Sequence, residues 1–266
     1  MINLESIIGI VTSTIISLIA YRKKSLNKSG VIAAIILGTA IFSFGGFLPF
    51  GLMMLFFISS SILSKVGKQK KGKLESIHEK GDARDYMQVL ANGGVALFFL
   101  VLFKITKDIK FFTASAVSFA ASNSDTWASE IGVLSKGKTI SILTWRKIEK
   151  GVSGGISLLG TISAFIGSSV ISITYLIYHI LILGYNNSIK VFIIITILGF
   201  LGSIVDSILG VTVQGQYIDK SDGHITEKKY NDTSKNQLVK GYSLINNDIV
   251  NILSNFIVTF ISVLIL

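Results

Sequence analysis

Two carboxylates and several hydroxyls follow directly after an apolar run, in the segment from Ser122 to Gly132 that reads SNSDTWASEIG. Asp125 and Glu130 supply the carboxylates, and Ser129 is one of the hydroxyl-bearing residues. Ionisable residues inside membrane segments are costly and usually mark ion or substrate sites. Carboxylates are ligands that the hard cation Mg²⁺ prefers. The segment therefore predicts a cation-dependent site in or beside a membrane.

The spacing of the two acids limits how they can share an ion. Asp125 and Glu130 are five positions apart, which on a helix of about 100° per residue separates them by roughly 140°. Both reach one metal ion only if the helix is broken or if the two acids have different roles. We expect a break near Gly132. The alternative is a helix end whose carboxylates only pair with nearby lysines.

The composition indicates the class of protein that must position these side chains. Half of the 266 residues are hydrophobic and 15% are charged, a balance that soluble domains of this length rarely show. We predict an all-α, polytopic membrane bundle of about eight spans, formed by a single domain over residues 1–266. The second and fifth spans are short, which favours short or broken helices at one side of the membrane. The apolar runs are Ile2–Ala20, Val31–Phe44, Phe47–Leu63, Val89–Phe103, Phe111–Ala121, Ile156–Leu183, Val191–Val213 and Ile245–Leu266.

The basic residues predict the orientation of this bundle. Four alternate loops hold 21 of the 25 Lys and Arg residues, so the positive-inside rule places these loops in the cytoplasm of a cell-membrane protein and both termini outside. The net charge of +10 is then a signal of membrane topology, and we do not interpret it as evidence for a nucleic-acid partner. Alternatively, some lysines hold anionic lipid headgroups. The four loops are Arg22–Lys28, Lys65–Arg84, Lys136–Lys150 and Lys220–Lys240.

A second polar group begins the fourth span. Arg84 precedes it, and Asp85, Gln88 and Asn92 recur at helical spacing on one side, as expected for residues that face a polar site. We interpret this stripe as part of a substrate site. The alternative is structural, with Asp85 capping the helix and Asn92 bonding to a neighbouring helix.

A glycine-rich turn leads into the sixth span. Gly154 and Gly155 follow Lys150, and Lys136 lies in the same basic loop. Backbone amides at glycines and at a helix N-terminus can approach an anion closely, so the turn is a candidate phosphate cradle. We interpret Gly160, which lies later in the span, as a helix-packing residue, because small side chains let membrane helices approach closely.

Polar residues also enter the last two spans. Asp206 lies on one face of the seventh span, at an insertion cost of about 2.5 to 3.5 kcal/mol, and its expected partner is a divalent ion shared with Asp125 or Glu130. Asn247 and Asn251 belong to a polar ladder that begins the eighth span. Together with the basic loops, these residues predict Mg²⁺-dependent handling of phosphate groups at the membrane surface.

The same residues resemble a known membrane family, the one first catalogued as domain of unknown function 92, to which the plant phytyl-phosphate kinase of tocopherol synthesis belongs. The resemblance covers nearly the whole chain and is carried by DTWASEIG at 125–132, LSK at 134–136, GG at 154–155, QVLANGG at 88–94 and GSIVDSILG at 202–210. It implies transfer of a phosphoryl group from a nucleoside triphosphate, CTP or another donor, to an isoprenoid monophosphate such as phytyl or geranylgeranyl phosphate.

By position, the resemblance implies roles for individual residues. Asp125, Glu130 and Asp206 would bind Mg²⁺, and Lys136 would hold the transferring phosphate; these four are the expected catalytic residues. The expected substrate-binding residues are Arg84, Gln88, Asn92, Ser129, Gly154, Gly155, Asn247 and Asn251.

A lipid or ion-coupled transporter or flippase is the main alternative function. Its buried acids would carry protons or cations, and its glycines would act as hinges. The clustering of polar residues near one membrane face favours the enzyme, because carriers place their sites near the midplane. The isoprenoid chain length, the nucleotide donor and homo-oligomerisation stay open.

Overall fold

The computed structural model describes residues 4–67, 77, 81, 83–183, 188–220, 223–231 and 235–266. Within these ranges the chain is an all-α membrane bundle of eight α-helices, and the apolar runs predicted from the sequence lie on them, Ile2 falling outside the described residues. The helices are α1 (Leu4–Arg22), α2 (Lys28–Gly45), α3 (Phe47–Leu63), α4 (Tyr86–Thr106), α5 (Ile109–Gly132), α6 (Leu158–Tyr178), α7 (Ser188–Thr212) and α8 (Asn247–Ile265).

Six of these helices are long and apolar enough to cross a membrane: α1, α2, α4, α6 with the π-helical turn His179–Leu183, α7 and α8. The second run, expected to be short, is a helix of 18 residues. The helix includes a polar first turn that the apolar run did not, because Asn27 caps the helix N-terminus. The Asn27 side chain accepts a hydrogen bond from the Gly30 amide at 2.9 Å. α3 is a shorter apolar helix of 17 residues.

α5 is the central helix of the bundle and corrects the expectation of a short fifth span. It runs unbroken for 24 residues and is buried continuously from Phe112 to Ser124. Its small Ala and Ser side chains let α3, α4, α6, α7 and α8 pack around it, as membrane helix interfaces require. Asn123 forms hydrogen bonds to two of these helices. Its Oδ1 accepts from Ser59 Oγ of α3 at 3.0 Å, and its Nδ2 donates to the Gly167 carbonyl of α6 at 2.7 Å.

Small residues bring α6 and α7 close to α5. A Cβ on Gly199 of α7 would lie 2.5 Å from the Cβ of Ala120, and one on Gly132 would lie 3.2 Å from the Cα of Gly160 on α6. Larger side chains at these crossings would separate the helices. The expected packing role of Gly160 is thus confirmed, and the C-terminal half of α5 is held firmly between its neighbours.

Short strands shape the loops at one end of the bundle. β1 (Ile140–Ser141) pairs with β2 (Gly155–Ile156) in an antiparallel hairpin between α5 and α6. Between α7 and α8, β3 (Gln216–Ile218) lies between β4 (Ile225–Thr226) and β5 (Gln237–Lys240).

The four basic loops meet at this end. The backbone of Leu26 pairs with that of Arg84, the Glu227 amide donates to the Ile77 carbonyl at 2.8 Å, and His224 Nδ1 lies 3.5 Å from Glu149 Oε2. Most of the lysines in the loop from Lys65 to Arg84 lie outside the described residues. The contacts nevertheless show that all four loops surround one region of the molecule.

Candidate active site

A cavity of about 750 Å³ lies at the end of the bundle where the basic loops meet. Its walls are the C-terminal ends of α5 and α7 and the N-terminal ends of α4, α6 and α8. Binding sites for small molecules typically measure roughly 300 to 1,000 Å³. Every site residue predicted from the sequence lines this cavity except Lys136: Arg84, Gln88, Asn92, Asp125, Ser129, Glu130, Gly154, Gly155, Asp206, Asn247 and Asn251. Their chemical roles stay predictions.

Two acids from different helices face each other across the cavity. The Asp206 carboxylate on α7 interacts electrostatically with Asp125 on α5 and with Glu227 in the loop before α8. Ser254 Oγ of α8 donates a hydrogen bond to Asp206 Oδ2 at 3.1 Å. Carboxylates that interact in this way repel each other unless a proton or a cation neutralises them. The pair is therefore a candidate cation site.

Glu130 has a different environment from Asp125, because α5 stays helical through both residues and ends at Gly132. The helix reaches its end at the glycine where we expected a break, but no break separates the two acids. Glu130 accepts a hydrogen bond from Ser64 Oγ at 2.5 Å and lies beside Arg84. No three acids or histidines in the described ranges are placed to hold one ion together, so Mg²⁺ binding by Glu130 stays a prediction.

Arg84 contributes a cation that is held in place on several sides. Its backbone amide donates to the Ser25 carbonyl at 3.1 Å. Its guanidinium donates to Ser61 Oγ at 3.1 Å and lies over the Phe57 ring, 5.4 Å from the ring centre. Burial lowers the pKa of Arg84 from its ordinary value, and the Glu130 carboxylate opposes that change. Since an arginine side chain stays protonated in proteins, Arg84 supplies a fixed positive charge at the cavity wall.

The polar stripe at the start of α4 has a structural as well as a site-facing part. Asp85 caps the helix in a capping box, accepting from the Gln88 amide at 2.9 Å while its own amide donates to Gln88 Oε1 at 3.1 Å. The structural alternative is therefore right for Asp85. Asn92 donates to the Gln88 carbonyl at 2.8 Å, and its own carbonyl accepts from Ser122 Oγ at 2.9 Å. Gln88 and Asn92 still line the cavity.

The glycine turn is a packing element that also borders the cavity. Gly154 has a φ of +78°, and a Cβ there would lie 1.7 Å from Val211 Cγ2 on α7. Only glycine fits both this backbone conformation and this contact. The turn therefore lies against α7, which brings Lys150 to the cavity beside Gly154 and Gly155.

The lysine of the loop Lys136–Lys150 that lines the cavity is not the one that the sequence indicated. Lys136 is exposed and lies outside the lining. Lys150 lines the cavity, and its Nζ donates to the Ser135 carbonyl. The two lysines belong to the same loop, and the β1–β2 pairing that folds this loop back toward Ser135 was not apparent in the sequence.

Glu227 and Lys228 also line the cavity, and sequence reasoning missed both. Glu227 accepts hydrogen bonds from Ser153 Oγ at 2.5 Å and from Gln214 Nε2 at 2.8 Å. These contacts join the α7–α8 loop to the glycine turn and to the end of α7. Neither residue lies in an apolar segment or at a regular spacing from one, so the sequence carried no signal for them beyond their charge.

Asn251 offers an unpaired oxygen to the cavity. Its side-chain Oδ1 is buried and has no hydrogen-bond partner within the described part of the chain. Buried amide oxygens nearly always find a partner, so this atom is suited to receive a ligand, a water molecule or an ion. Ser254 Oγ, which donates to Asp206 Oδ2, also lies 3.2 Å from the backbone carbonyl oxygen of Asn251.

The charges of the lining fit a divalent cation. Its acids are Asp125, Glu130, Asp206, Glu227 and Asp248, and its cations are Arg84, Lys150 and Lys228. Acids outnumber cations among these residues, so a ligand rich in phosphate would be repelled unless a metal ion accompanied it. Mg²⁺ is usually held by one or two carboxylates together with substrate phosphates and water. Asp125, Asp206 and the free Asn251 oxygen fit that pattern.

Comparisons with known proteins agree with the membrane bundle. The family model described as integral membrane protein DUF92 matches residues 11–259. Protein PGR of Arabidopsis thaliana is 29% identical over 275 residues, which cover 96% of this chain and 94% of that protein. An uncharacterized membrane protein of Methanocaldococcus jannaschii is 31% identical over 207 residues, covering 76% of this chain and 81% of its own length.

A more distant relative is an uncharacterized membrane protein of Synechocystis, which is 23% identical over 201 residues, covering 73% of this chain and 74% of its own length. No solved structure matches the chain. The relatives from the archaeon and the cyanobacterium are both described as membrane proteins, in agreement with the six long apolar helices of this chain.

Proposed function

Because this chain belongs to the integral membrane protein family DUF92, and because one cavity gathers its membrane acids with three cations, we propose that it is a Mg²⁺-dependent phosphotransferase. It moves the γ-phosphoryl group of a nucleoside triphosphate, CTP or another, to an isoprenoid monophosphate such as phytyl or geranylgeranyl phosphate. The observation that carries the proposal is the meeting of Asp125 and Asp206 in a cavity that also holds Arg84 and Lys150.

The chemistry needs few protein groups. An oxygen of the acceptor's phosphate attacks the γ-phosphorus and forms the new P–O bond. The bond from the γ-phosphorus to the β–γ bridging oxygen breaks, and the nucleoside diphosphate leaves with that electron pair. The acceptor is already anionic, so no strong base has to remove a proton. Positioning and neutralisation of charge therefore supply most of the catalysis.

Each group in the cavity has a role in this scheme. Asp125 and Asp206 hold Mg²⁺, which when bound neutralises charge on the phosphates. Arg84 binds the acceptor phosphate at the α4 side, and Glu130 positions the guanidinium. Lys150 binds donor phosphates at the opposite wall, beside the glycine turn. The acceptor and donor thus approach each other from the two sides of the acid pair.

The basic loops support a cytoplasmic position for this cavity, where nucleotides are abundant. Twenty-one of the 25 Lys and Arg residues belong to the loops at the cavity end of the bundle. Under the positive-inside rule these loops stay in the cytoplasm. Both termini then lie on the opposite side, as do the remaining basic residues.

Transport is the rival function, and the packing of α5 argues against it. Below the cavity, Phe112, Val117 and Phe119 are almost fully buried in a single apolar core with the neighbouring helices. A carrier needs a site that opens alternately to both sides, near the membrane midplane. In this structure the acids and cations of the cavity lie at one end of the bundle, and the helices beyond them pack through apolar side chains and hydrogen-bonded Ser and Thr hydroxyls such as Thr113 and Ser172.

The direct test is transfer of labelled γ-phosphate by the purified full-length protein in detergent and lipid. CTP, ATP, GTP and UTP are each supplied with Mg²⁺ and with phytyl or geranylgeranyl monophosphate, and the isoprenoid diphosphate is measured. We expect labelled diphosphate with at least one donor, and none when EDTA removes the metal. If no donor yields diphosphate while a proteoliposome assay shows movement of an isoprenoid phosphate across the bilayer, the transporter is the correct function.

A pair of lysine substitutions tests which cation binds the donor. Lys150→Met removes the charge but keeps an apolar stem, and loss of a charge-assisted hydrogen bond costs about 1.5 to 3 kcal/mol, or roughly 10- to 150-fold in kcat/KM. Lys136→Met in the same loop serves as the matched control and should leave the rate unchanged, because its side chain is outside the cavity. A large loss in Lys136→Met with none in Lys150→Met would reverse the assignment.

A further inference from the structure

A second, apolar pocket adjoins the polar cavity within the membrane part of the bundle. It measures about 60 Å³ and lies among α1, α2, α3, α4 and the side chain of Phe119 on α5. Its walls include Leu37, Met53 and Val89. A pocket so lined excludes water and favours hydrocarbon. It differs in both size and chemistry from the polar cavity that holds the acids.

The pocket and the cavity share one wall. Arg84, Gln88 and Asn92 line both spaces. A ligand at this wall meets a guanidinium and side-chain amides on one side and hydrocarbon on the other. That contrast fits an amphiphile whose charged head lies in the cavity and whose chain begins in the pocket. A free phosphate would use only the polar side.

The volume of the pocket limits how much chain it can hold. A water-sized group needs about 10 to 15 Å³ of such volume, so 60 Å³ holds roughly four to six heavy atoms. One isoprene unit contains five carbons. We propose that this pocket binds the first isoprene unit of the acceptor, the five carbons next to its phosphate, with Arg84 holding that phosphate at the shared wall. The inference rests on the proposed function and names the part of its substrate that is recognised.

The pocket therefore distinguishes acceptors by their first isoprene unit and does not distinguish them by the length of the rest of the chain. Atoms beyond the first unit leave the pocket for the surrounding lipid, where an added methylene meets the same environment in every acceptor. Phytyl and geranylgeranyl phosphate have the same first unit and differ only further along. A single methylene inside a binding pocket changes kcat/KM by roughly tenfold or more. We expect the kcat/KM values of phytyl and geranylgeranyl phosphate to differ by less than that.

Filling the pocket provides the sharpest test. Ala34 on α2 lines it, and Ala34→Leu adds three carbons to a space that holds about five. Ala40→Leu, on the same helix but outside the lining, is the matched control. Binding of geranyl monophosphate is measured without nucleotide, together with binding of CTP, on each folded variant.

We expect Ala34→Leu to weaken geranyl phosphate binding by at least roughly tenfold, with CTP binding unchanged and Ala40→Leu equal to the unmodified protein. Equal binding by Ala34→Leu would overturn the proposal. So would equally tight competition by phosphatidic acid, since that result would show a general phospholipid site. Because the assay measures binding alone, an absence of phosphoryl transfer would remove the proposed function and leave the pocket assignment standing.

A labelling experiment covers the case in which Ala34→Leu fails to fold. A geranyl phosphate analogue with a photoreactive diazirine in its first unit is bound to the unmodified protein and illuminated. We expect the label on α3 around Met53 and Met54, which line the pocket, with protection by excess geranyl phosphate. Labels confined to lipid-facing residues such as Ile58 or Ile62, which are exposed, would contradict the assignment.

Discussion

Asp125→Asn will abolish measurable phosphoryl transfer while leaving a folded protein. The substitution keeps the size of the side chain and removes the charge that faces Asp206 across the cavity. Removing one group that stabilises charge in a transition state typically costs about 10²- to 10³-fold in rate, and loss of a metal ligand belongs at the upper end. The measurement is initial rate of γ-phosphate transfer at saturating Mg²⁺.

The same helix supplies a matched control for this variant. Asp108 caps the first turn of α5, its carboxylate accepting from the Lys110 amide at 3.1 Å, and lies far along the helix from the cavity. Asn is as good a cap as Asp, so Asp108→Asn should retain the full rate. If Asp125→Asn instead unfolds in detergent, the carboxylate has a structural role and the catalytic assignment fails. A rate within tenfold of the unmodified protein would also contradict it.

Asp206→Asn is expected to cause a loss of similar size. Ser254 Oγ holds one oxygen of Asp206 at 3.1 Å, so the asparagine can keep this hydrogen bond while losing its negative charge. Because the proposed function has Asp125 and Asp206 hold one ion, we expect that their effects do not add. The double variant should be no slower than the slower single variant, whereas independent groups would multiply their losses.

A measurement without turnover separates metal binding from other causes. Mg²⁺ that binds the native protein raises its apparent Tm, and the stabilisation grows with the logarithm of the ligand excess. We expect this shift in the unmodified protein and in Asp108→Asn. It should be absent in Asp206→Asn and Asp125→Asn. A Mg²⁺-dependent shift that persists in both variants would place the ion elsewhere in the cavity, and multiplicative rate losses would show that the two acids act separately.

The fold was largely predictable, because lipid imposes a simple rule on the chain. Long apolar segments must be helical when no water satisfies the backbone, and all of the predicted runs correspond to helices. The second and fifth spans are both longer than expected. The larger difference concerns α5, whose apolar run was short because Ser, Thr and Asn interrupt it. These residues are buried against other helices, with partners such as Ser59 for Asn123, and such partners are not visible in a single sequence.

The candidate site was predictable in part, for a similar reason. Acids and amides within apolar segments are costly, and that cost alone singled out Asp125, Asp206 and Asn251. Charged residues in loops carry no such cost, so the sequence could not rank Lys136 against Lys150. Glu227 was missed for the same reason, although it bonds to Gln214 at 2.8 Å.

The sequence by itself determined a multi-pass helical membrane protein with acids at one end of its spans, because hydrophobicity and charge act locally along the chain. Only the tertiary structure decided which acids meet. An unbroken α5 directs Asp125 toward Asp206 and Glu130 toward Ser64 and Arg84. Tertiary packing also placed an apolar pocket behind Arg84. These outcomes depend on how side chains of distant segments pack together, and spacing along the chain does not specify that packing.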